Sequence, residues 1–144
     1  MSSALNFSCG SGYNFLLSLE TRGIKLGLER TQQLLNCCGN PEKVLKSIQI
    51  IGTNGKGSTA ATLSSILYEA GFKVGMYTSP HLVDLSERIQ INGSPIKRDA
   101  INNFINNFKN DIENLESTFF ESMTALALTY FNNNNVDIAI LETG

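Results

Sequence analysis

Apolar residues recur along this chain at two spacings, one typical of helices and one typical of strands. The clearest helical case is 99–110, where four apolar side chains fall on one face of a 3.6-residue repeat. The spacing predicts five helices: Tyr13–Glu20, Leu26–Cys38, a helix that starts after residue 57 and stops at Gly71, Asp99–Asn110 and Phe119–Phe131. Residues 1–12 are rich in Ser and Gly, so we predict a loose lead-in there and one folded region over 13–144.

Short β-rich segments separate these helices. The predicted strands are Ser47–Ile51, Lys73–Thr78, Arg88–Ile91 and Val136–Leu141, and the first and last are expected to be buried. Alternation of strands and helices favours an α/β fold of the P-loop type, with three layers and a mainly parallel sheet. Because the chain stops at Gly144, directly after a strand, we expect this sheet to be incomplete at its carboxyl-terminal end.

Composition narrows the class of protein. The 144 residues are 42% hydrophobic and 17% charged, which is enough apolar material for a packed core. A net charge of −2 argues against nucleic acid as a partner, and no apolar run approaches the about 18 residues of a membrane span. Three cysteines and one histidine make neither a disulfide framework nor a multi-histidine zinc site, so a reducing cytoplasmic setting is expected.

The strongest chemical signal is a glycine-rich segment between a predicted strand and a predicted helix. It reads Gly52, Thr53, Asn54, Gly55, Lys56, Gly57, Ser58, Thr59. Glycines let backbone N–H groups converge on phosphate oxygens, and the start of the following helix adds partial positive charge. Lys56 can reach a terminal phosphate, and Ser58 or Thr59 can offer a hydroxyl to phosphate or Mg²⁺.

This segment does not have the usual P-loop spacing. That pattern would require glycine at 50 and Ser or Thr at 57, where this chain has Ile50 and Gly57. The alternative interpretation is a glycine-rich turn that only connects a strand to a helix.

A carboxylate completes the candidate phosphate site. Glu142 follows the last apolar strand, and ligands of open α/β sheets bind beyond the carboxyl ends of the strands. Glu142 and Lys56 are therefore expected at one edge of the sheet, where a carboxylate suits Mg²⁺. A solvated glutamate at a strand end is the alternative.

Taken in order, several short motifs resemble one family. They are Leu26-Gly27-Leu28-Glu29-Arg30, the segment 52–59, Tyr77-Thr78-Ser79-Pro80-His81-Leu82, Glu87-Arg88-Ile89, Phe119-Phe120-Glu121 with Thr124, and Leu141-Glu142-Thr143-Gly144. Together they resemble the folylpolyglutamate synthase/dihydrofolate synthase family of Mur-type ligases over about residues 13–144. The resemblance implies that 13–144 are the N-terminal portion of an ATP-binding domain.

The resemblance also implies an activity. Such enzymes use ATP and Mg²⁺ to phosphorylate a carboxylate of dihydropteroate or folate, and L-glutamate then displaces the phosphate. Lys56 and Glu142 carry over as catalytic residues, residues 52–59 as the ATP loop, and Ser79 with Glu142 as Mg²⁺ ligands. The segment Phe119, Phe120, Glu121 carries over to the pterin pocket, with Lys25 and Leu28 as further contributors, and 79–91 to a mobile loop.

The chain is shorter than this pattern requires. The motif at Glu142 ordinarily continues, and a third metal ligand, a histidine that His81 does not replace, lies further on. We therefore expect part of a ligase that is monomeric at full length and takes only small-molecule substrates. Two alternatives stay open: a truncated nucleotide-binding module without ligase activity, and a Mur-type ligase for another carboxylate.

The single side chains have alternatives of their own. Ser79 could only begin a Ser-Pro turn, the two phenylalanines could be core aromatics, and Glu121 could be a charge favoured by a helix start. Arg88 could be a solvated charge.

Overall fold

The computed structural model describes residues 11–81 and 83–142, which form an α/β fold with one mixed sheet. The helices are α1 (Ser11–Ser18), α2 (Glu29–Cys37), α3 (Lys56–Glu69), α4 (Arg98–Leu115) and α5 (Phe119–Asn133). The strands are β1 (Ser47–Ile50), β2 (Val74–Tyr77), β3 (Ile89–Ile91), β4 (Ser94–Pro95) and β5 (Ile138–Glu142). Short 3₁₀ turns cover Leu19–Arg22, Pro41–Lys43 and Leu85–Arg88.

The sheet has the order β1-β5-β2-β3-β4. Strands β1, β5 and β2 run parallel, and β3 and β4 add antiparallel pairs at one side. The α/β fold that the sequence predicted is confirmed. The antiparallel pairs arise because the chain returns directly from β2 to β3 and then turns at Asn92 and Gly93, both of which have positive φ.

Two compact units make up the described chain. The helical unit contains residues 11–40 and 97–126, and the sheet unit contains residues 41–81, 83–96 and 127–142. In the helical unit, α4 packs against α1 and α2. The closest approach is at Gly12, where a Cβ atom would lie 2.8 Å from the Asn102 Cα, so only glycine fits there.

In the sheet unit, helices cover both faces of the sheet. Val74 lies in one buried cluster with Ala60 of α3 and Ile140 of β5. The next residue of β2, Gly75, faces Phe131 of α5, since a Cβ atom there would lie 2.7 Å from the Phe131 ring. Because successive residues of a strand point to opposite faces, α3 and α5 lie on opposite sides of the sheet. These are the three layers that the sequence predicted.

Several predicted boundaries were wrong. Helix α2 begins at Glu29 rather than Leu26, because Leu26 and Leu28 are exposed and extend no buried face. Helix α1 begins at Ser11, inside the predicted lead-in, whose residues 1–10 lie outside the described residues. Helix α4 runs past Asn110 to Leu115.

Strand β1 is not the buried strand that its apolar residues predicted. Its residues alternate between exposed and half-buried, and Ile51 beyond it is 77% exposed. Strand β1 is exposed because, in the described part of the chain, it pairs only with β5 and is therefore an edge strand. Among the described residues, no helix combines the length and the apolar character that crossing a bilayer requires.

Candidate functional site

Three candidate segments lie at the carboxyl-terminal ends of the parallel strands, which form one edge of the sheet, and all belong to the sheet unit. Strand β1 ends at Ile50, which pairs with Glu142, the last residue of β5. Strand β2 ends at Tyr77, which pairs with Leu141. Because these strands are adjacent and parallel, the glycine-rich loop, Glu142 and the segment after Tyr77 begin at one level. Glu142 therefore lies at the same edge of the sheet as the glycine-rich loop, as predicted.

The glycine-rich loop leads directly into α3. Gly55 caps the helix with φ +74°, a left-handed conformation that costs a side chain about 1–2 kcal/mol. The Thr59 N–H donates the first helical hydrogen bond, to the Gly55 carbonyl at 2.9 Å, so the preceding N–H groups lie outside the helical ladder. Gly52 through Gly55 and Gly57 through Thr59 are exposed, and Lys56 is half-buried. The loop can therefore offer N–H groups, hydroxyls and one ammonium to an anion.

Gly57 has no structural reason to be glycine. A Cβ atom at this position would meet nothing within 4 Å, and its backbone lies in the first turn of α3. In a helix interior alanine is more stable than glycine by about 1 kcal/mol. A bare backbone at the helix start leaves room for a ligand to approach the N–H groups, which agrees with a phosphate-binding loop.

The two predicted metal ligands follow neighbouring strands. Glu142 is only 8% exposed, and Ser79 is half-buried and stands two residues beyond β2. Ser79 is joined to Pro80 by a cis peptide bond. A carboxylate and a hydroxyl are oxygen donors of the kind that Mg²⁺ prefers, so the donor set fits this ion.

The segment that follows Ser79 closes on itself. The Thr78 N–H donates to the Arg88 carbonyl at 2.9 Å, which joins the two ends. Asp84 caps the Leu85–Arg88 turn by accepting from the Ser86 N–H, and Glu87 accepts from the Asp84 N–H in return. Reciprocal capping of this kind satisfies the donors that a helix start leaves open.

Arg88 lies inside this closed segment, and its side chain was not predicted to be buried. It is 6% exposed, and its Nε atom donates to His81 Nδ1 at 2.8 Å. The one sequence feature that singled out Arg88 was its place in the Glu87-Arg88-Ile89 motif. Its burial contradicts the alternative interpretation of a solvated charge.

Glu121 lies in the helical unit, in a network of its own. It is 8% exposed and accepts from the Thr118 N–H, while the Thr118 hydroxyl accepts from the Glu121 N–H. Arg30 donates from Nε to both carboxylate oxygens, at 3.1 and 3.2 Å, and forms an ion pair at 2.9 Å through Nη2. Glu121 therefore caps α5 and binds Arg30. The sequence predicted no role for Arg30 beyond its place in the segment 26–30.

The remaining predicted substrate residues differ in accessibility. Phe120 and Leu28 are exposed, at 49% and 71%, whereas Phe119 is buried. The two phenylalanine rings meet edge to face, with centroids 5.6 Å apart. Lys25 Nζ donates to the Glu116 carbonyl at 2.9 Å. Of the predicted substrate residues, Phe120 and Leu28 are thus the two that offer exposed apolar surface to a ligand. Thr143 and Gly144 lie outside the described residues.

Several known proteins align with most of this chain, although no protein-family model matches it. The dihydrofolate synthase/folylpolyglutamate synthase of Bacillus subtilis is 43% identical over 129 residues, which are 85% of this chain and 30% of that protein. A probable bifunctional folylpolyglutamate synthase/dihydropteroate synthase of Haloferax volcanii is 40% identical over 136 residues, 91% of this chain and 16% of that protein.

Solved structures agree with the sequence relatives. The folylpolyglutamate synthase of Thermotoga maritima matches with a TM-score of 0.85 at 40% identity, over 93% of this chain and 33% of that one. The chain belongs to the folylpolyglutamate synthase/dihydrofolate synthase family.

The chain spans about a third or less of the length of the relatives described above. Within the family, a folylpolyglutamate synthase in complex with AMPPCP and folate matches with a TM-score of 0.85 at 33% identity, over 96% of this chain and 35% of that one. AMPPCP is an analogue of ATP.

Proposed function

We propose that this chain supplies the phosphate-binding and metal-binding edge of an ATP-dependent ligase, which joins L-glutamate to dihydropteroate or folate. The observation that carries the proposal is the strand register. It brings the 52–59 loop level with Glu142, and Ser79 follows the neighbouring strand. Membership of a synthase family, one member of which binds AMPPCP and folate, supports the choice of nucleotide and acid.

Each group at this edge has a defined task in the proposal. The N–H groups at the start of α3 and the loop 52–59 bind the terminal phosphates of ATP, and Lys56 balances their charge. Ser79 and Glu142 would hold Mg²⁺, which when bound neutralises charge on the phosphate oxygens. Lys56, at the start of α3, would thus act on the reacting phosphate directly, and Glu142, at the end of β5, would act through the ion it holds.

The proposed reaction has two steps. A carboxylate oxygen of the acid attacks the terminal phosphorus of ATP, and the bond to ADP breaks, which leaves an acyl phosphate. The amine of glutamate then attacks the acyl carbon, an amide forms, and phosphate leaves with the bonding electrons. Neither step needs a protein nucleophile, so the residues of this chain work by positioning and charge neutralisation.

For the pterin ring we propose a contact surface in the helical unit. Phe120 and Leu28 offer exposed apolar surface, and Phe119 supports the Phe120 ring from below. Glu121 fixes the start of α5, and thereby the position of Phe120, through Thr118 and Arg30. Lys25 adds a positive charge on the same unit for an acidic substrate.

The organisation of the protein is part of the proposal. Residues 13–144 are proposed to be the N-terminal portion of an ATP-binding domain in a monomeric, cytoplasmic enzyme that takes only small molecules. Two alternatives make different predictions: a nucleotide-binding module without ligase activity, and a Mur-type ligase for another carboxylate.

The proposal is tested by nucleotide binding and by ligation. The chain is titrated with AMPPCP and Mg²⁺, and the substitution Lys56→Ala should weaken binding by about 10- to 100-fold, the effect of losing a charge-assisted hydrogen bond. Lys43→Ala is the matched control, because Lys43 is exposed in the same unit. Equal affinity of all three proteins would contradict the phosphate assignment.

Ligation is followed as phosphate release that requires both L-glutamate and dihydropteroate or folate. Nucleotide binding without this release favours the binding module. Release that requires a different carboxylate favours the other Mur-type ligase.

A further inference from the structure

The segment between Thr78 and Arg88 holds the single histidine of this chain in one defined state. Arg88 Nε donates to His81 Nδ1 at 2.8 Å. A guanidinium has donors and no acceptor, so Nδ1 must be the unprotonated nitrogen of the ring. A neutral imidazole in this contact therefore carries its proton on Nε2.

Arg88 is well suited to fix this state because its own position is fixed by the backbone. Its carbonyl accepts from the Thr78 N–H, and Ile89 next to it pairs with Tyr77 in the sheet. The side chain is only 6% exposed, so it has little contact with solvent. The donor to His81 therefore belongs to the end of the segment that is joined to the sheet.

His81 lies in the segment that continues from a predicted metal ligand. It follows Ser79 by two residues, and Ser79 leaves β2 at the edge that β5 and Glu142 share. His81 as a whole residue is half-buried. An N–H donor at this edge can donate a hydrogen bond to an oxyanion.

We propose that Arg88 is a positioning residue that holds His81 with its proton on Nε2, so that His81 donates a hydrogen bond to an oxyanion bound at this edge. The oxyanion is a phosphate of the nucleotide or the carboxylate of the acid, and this part of the inference rests on the proposed function. The proton position itself does not rest on it.

The first test needs no ligand. Because the chain has one histidine, long-range ¹H–¹⁵N spectra of the labelled protein at about pH 8.5 report His81 alone. The expected spectrum shows one tautomer, with Nε2 protonated and Nδ1 bare. Arg88→Met should move the two nitrogen signals towards each other, as in a mixture of tautomers, and Arg88→Lys should restore part of the separation. Lys97→Met is the control, because Lys97 is exposed. A protonated Nδ1 in the wild-type protein would overturn the proposal, whether or not the variants fold.

The second test identifies the oxyanion. Addition of AMPPCP with Mg²⁺ should shift the Nε2 signal if the acceptor is a phosphate, and addition of folate alone should shift it if the acceptor is a carboxylate. His81→Gln keeps an N–H donor near the place of Nε2, whereas His81→Asn does not reach that far. We expect His81→Asn to weaken binding of the ligand that shifts the signal by about tenfold, with recovery in His81→Gln.

The outcomes separate the two proposals. If AMPPCP or folate binds with wild-type affinity while the His81 signals and both His81 variants are unaffected, the donor role is wrong and the proposed function stands. If neither ligand binds, the proposed function and the donor role both fail, and the tautomer spectrum alone decides the role of Arg88.

Discussion

Ile50 and Glu142 lie opposite each other in the parallel pair of β1 and β5, so the end of β5 is level with the start of the glycine-rich loop. Glu142 is 8% exposed although it is a carboxylate. Carboxylates are rarely this buried unless a charge or a metal compensates them. A buried carboxylate at the carboxyl end of β5 is therefore a candidate ligand for a cation.

The first prediction concerns this carboxylate. Glu142→Ala should raise the Mg²⁺ concentration needed for AMPPCP binding by about tenfold or more, because an ionic ligand contributes at least as much as one charge-assisted hydrogen bond. Glu69→Ala, at the exposed far end of α3, is the control and should leave the Mg²⁺ dependence unchanged. A Mg²⁺ titration at fixed AMPPCP measures both, and equal effects of the two substitutions would refute the metal assignment.

Two glycines of the loop should respond in opposite directions to the same change. Gly55→Ala should lower the free energy of unfolding by about 1–2 kcal/mol because Gly55 has φ +74°. Gly57→Ala should raise it by up to about 1 kcal/mol, since alanine is the better helix residue and its Cβ meets nothing.

Urea denaturation measures the free energy of unfolding of both variants, and an AMPPCP titration measures their affinity for the nucleotide. Gly57→Ala should bind the nucleotide more weakly than wild type while being more stable. A variant that is both more stable and fully competent in binding would show that Gly57 is not kept for the ligand.

The ion pair of Arg30 and Glu121 should contribute to the stability of the helical unit. Arg30→Met leaves a carboxylate that is 8% exposed without its charged partner, and we expect a loss of about 1–3 kcal/mol. Glu121→Gln should cost a similar amount, because it weakens the pair and also the cap at the start of α5.

A double-mutant cycle with Arg30→Met and Glu121→Gln isolates the pair itself. The double variant should lose clearly less than the sum of the two single losses. Additive losses would mean that the two side chains stabilise the unit independently. Glu113→Gln, on the exposed face of α4, serves as the control.

Alkylation of the cysteines supplies a pH-dependent prediction. The pKa of the Cys37 thiol is raised above its ordinary value, first by loss of surrounding water and then by the Asp111 carboxylate, which repels the thiolate and accepts the thiol hydrogen bond. Since the thiolate is the reactive form, Cys37 should react with iodoacetamide at a higher pH than a free thiol.

Asp111→Asn removes the carboxylate charge, so the rate profile of Cys37 should move to lower pH. Cys9→Ser and Cys38→Ser are made in the background of both proteins, so that Cys37 is the one cysteine that reacts. A profile that does not move would show that Asp111 has no electrostatic influence on Cys37.

The sequence was most informative where local composition determines the structure. The loop at 52–59 was predictable because a strand, glycines with one lysine, and an apolar helix follow each other directly. It was misleading at Leu26 and Leu28, whose apolar side chains suggested a helix face but are exposed. The pairs Arg30–Glu121 and Arg88–His81 were not predictable as contacts, because each depends on how the chain returns on itself, over 91 residues in the first case.

The position of β5 has a consequence for the order in which the sheet unit folds. Although β5 is the last of the described strands along the chain, it lies between β1 and β2, and these two have no pairing with each other. Pairing therefore joins segments that are far apart in sequence, as Ser47 and Ala139 are, and such contacts form slowly because a long loop must close first. During synthesis β1 would wait for residues 138–142 to leave the ribosome before it could join the sheet. We therefore expect the edge that holds the glycine-rich loop to be among the last parts of this unit to become ordered.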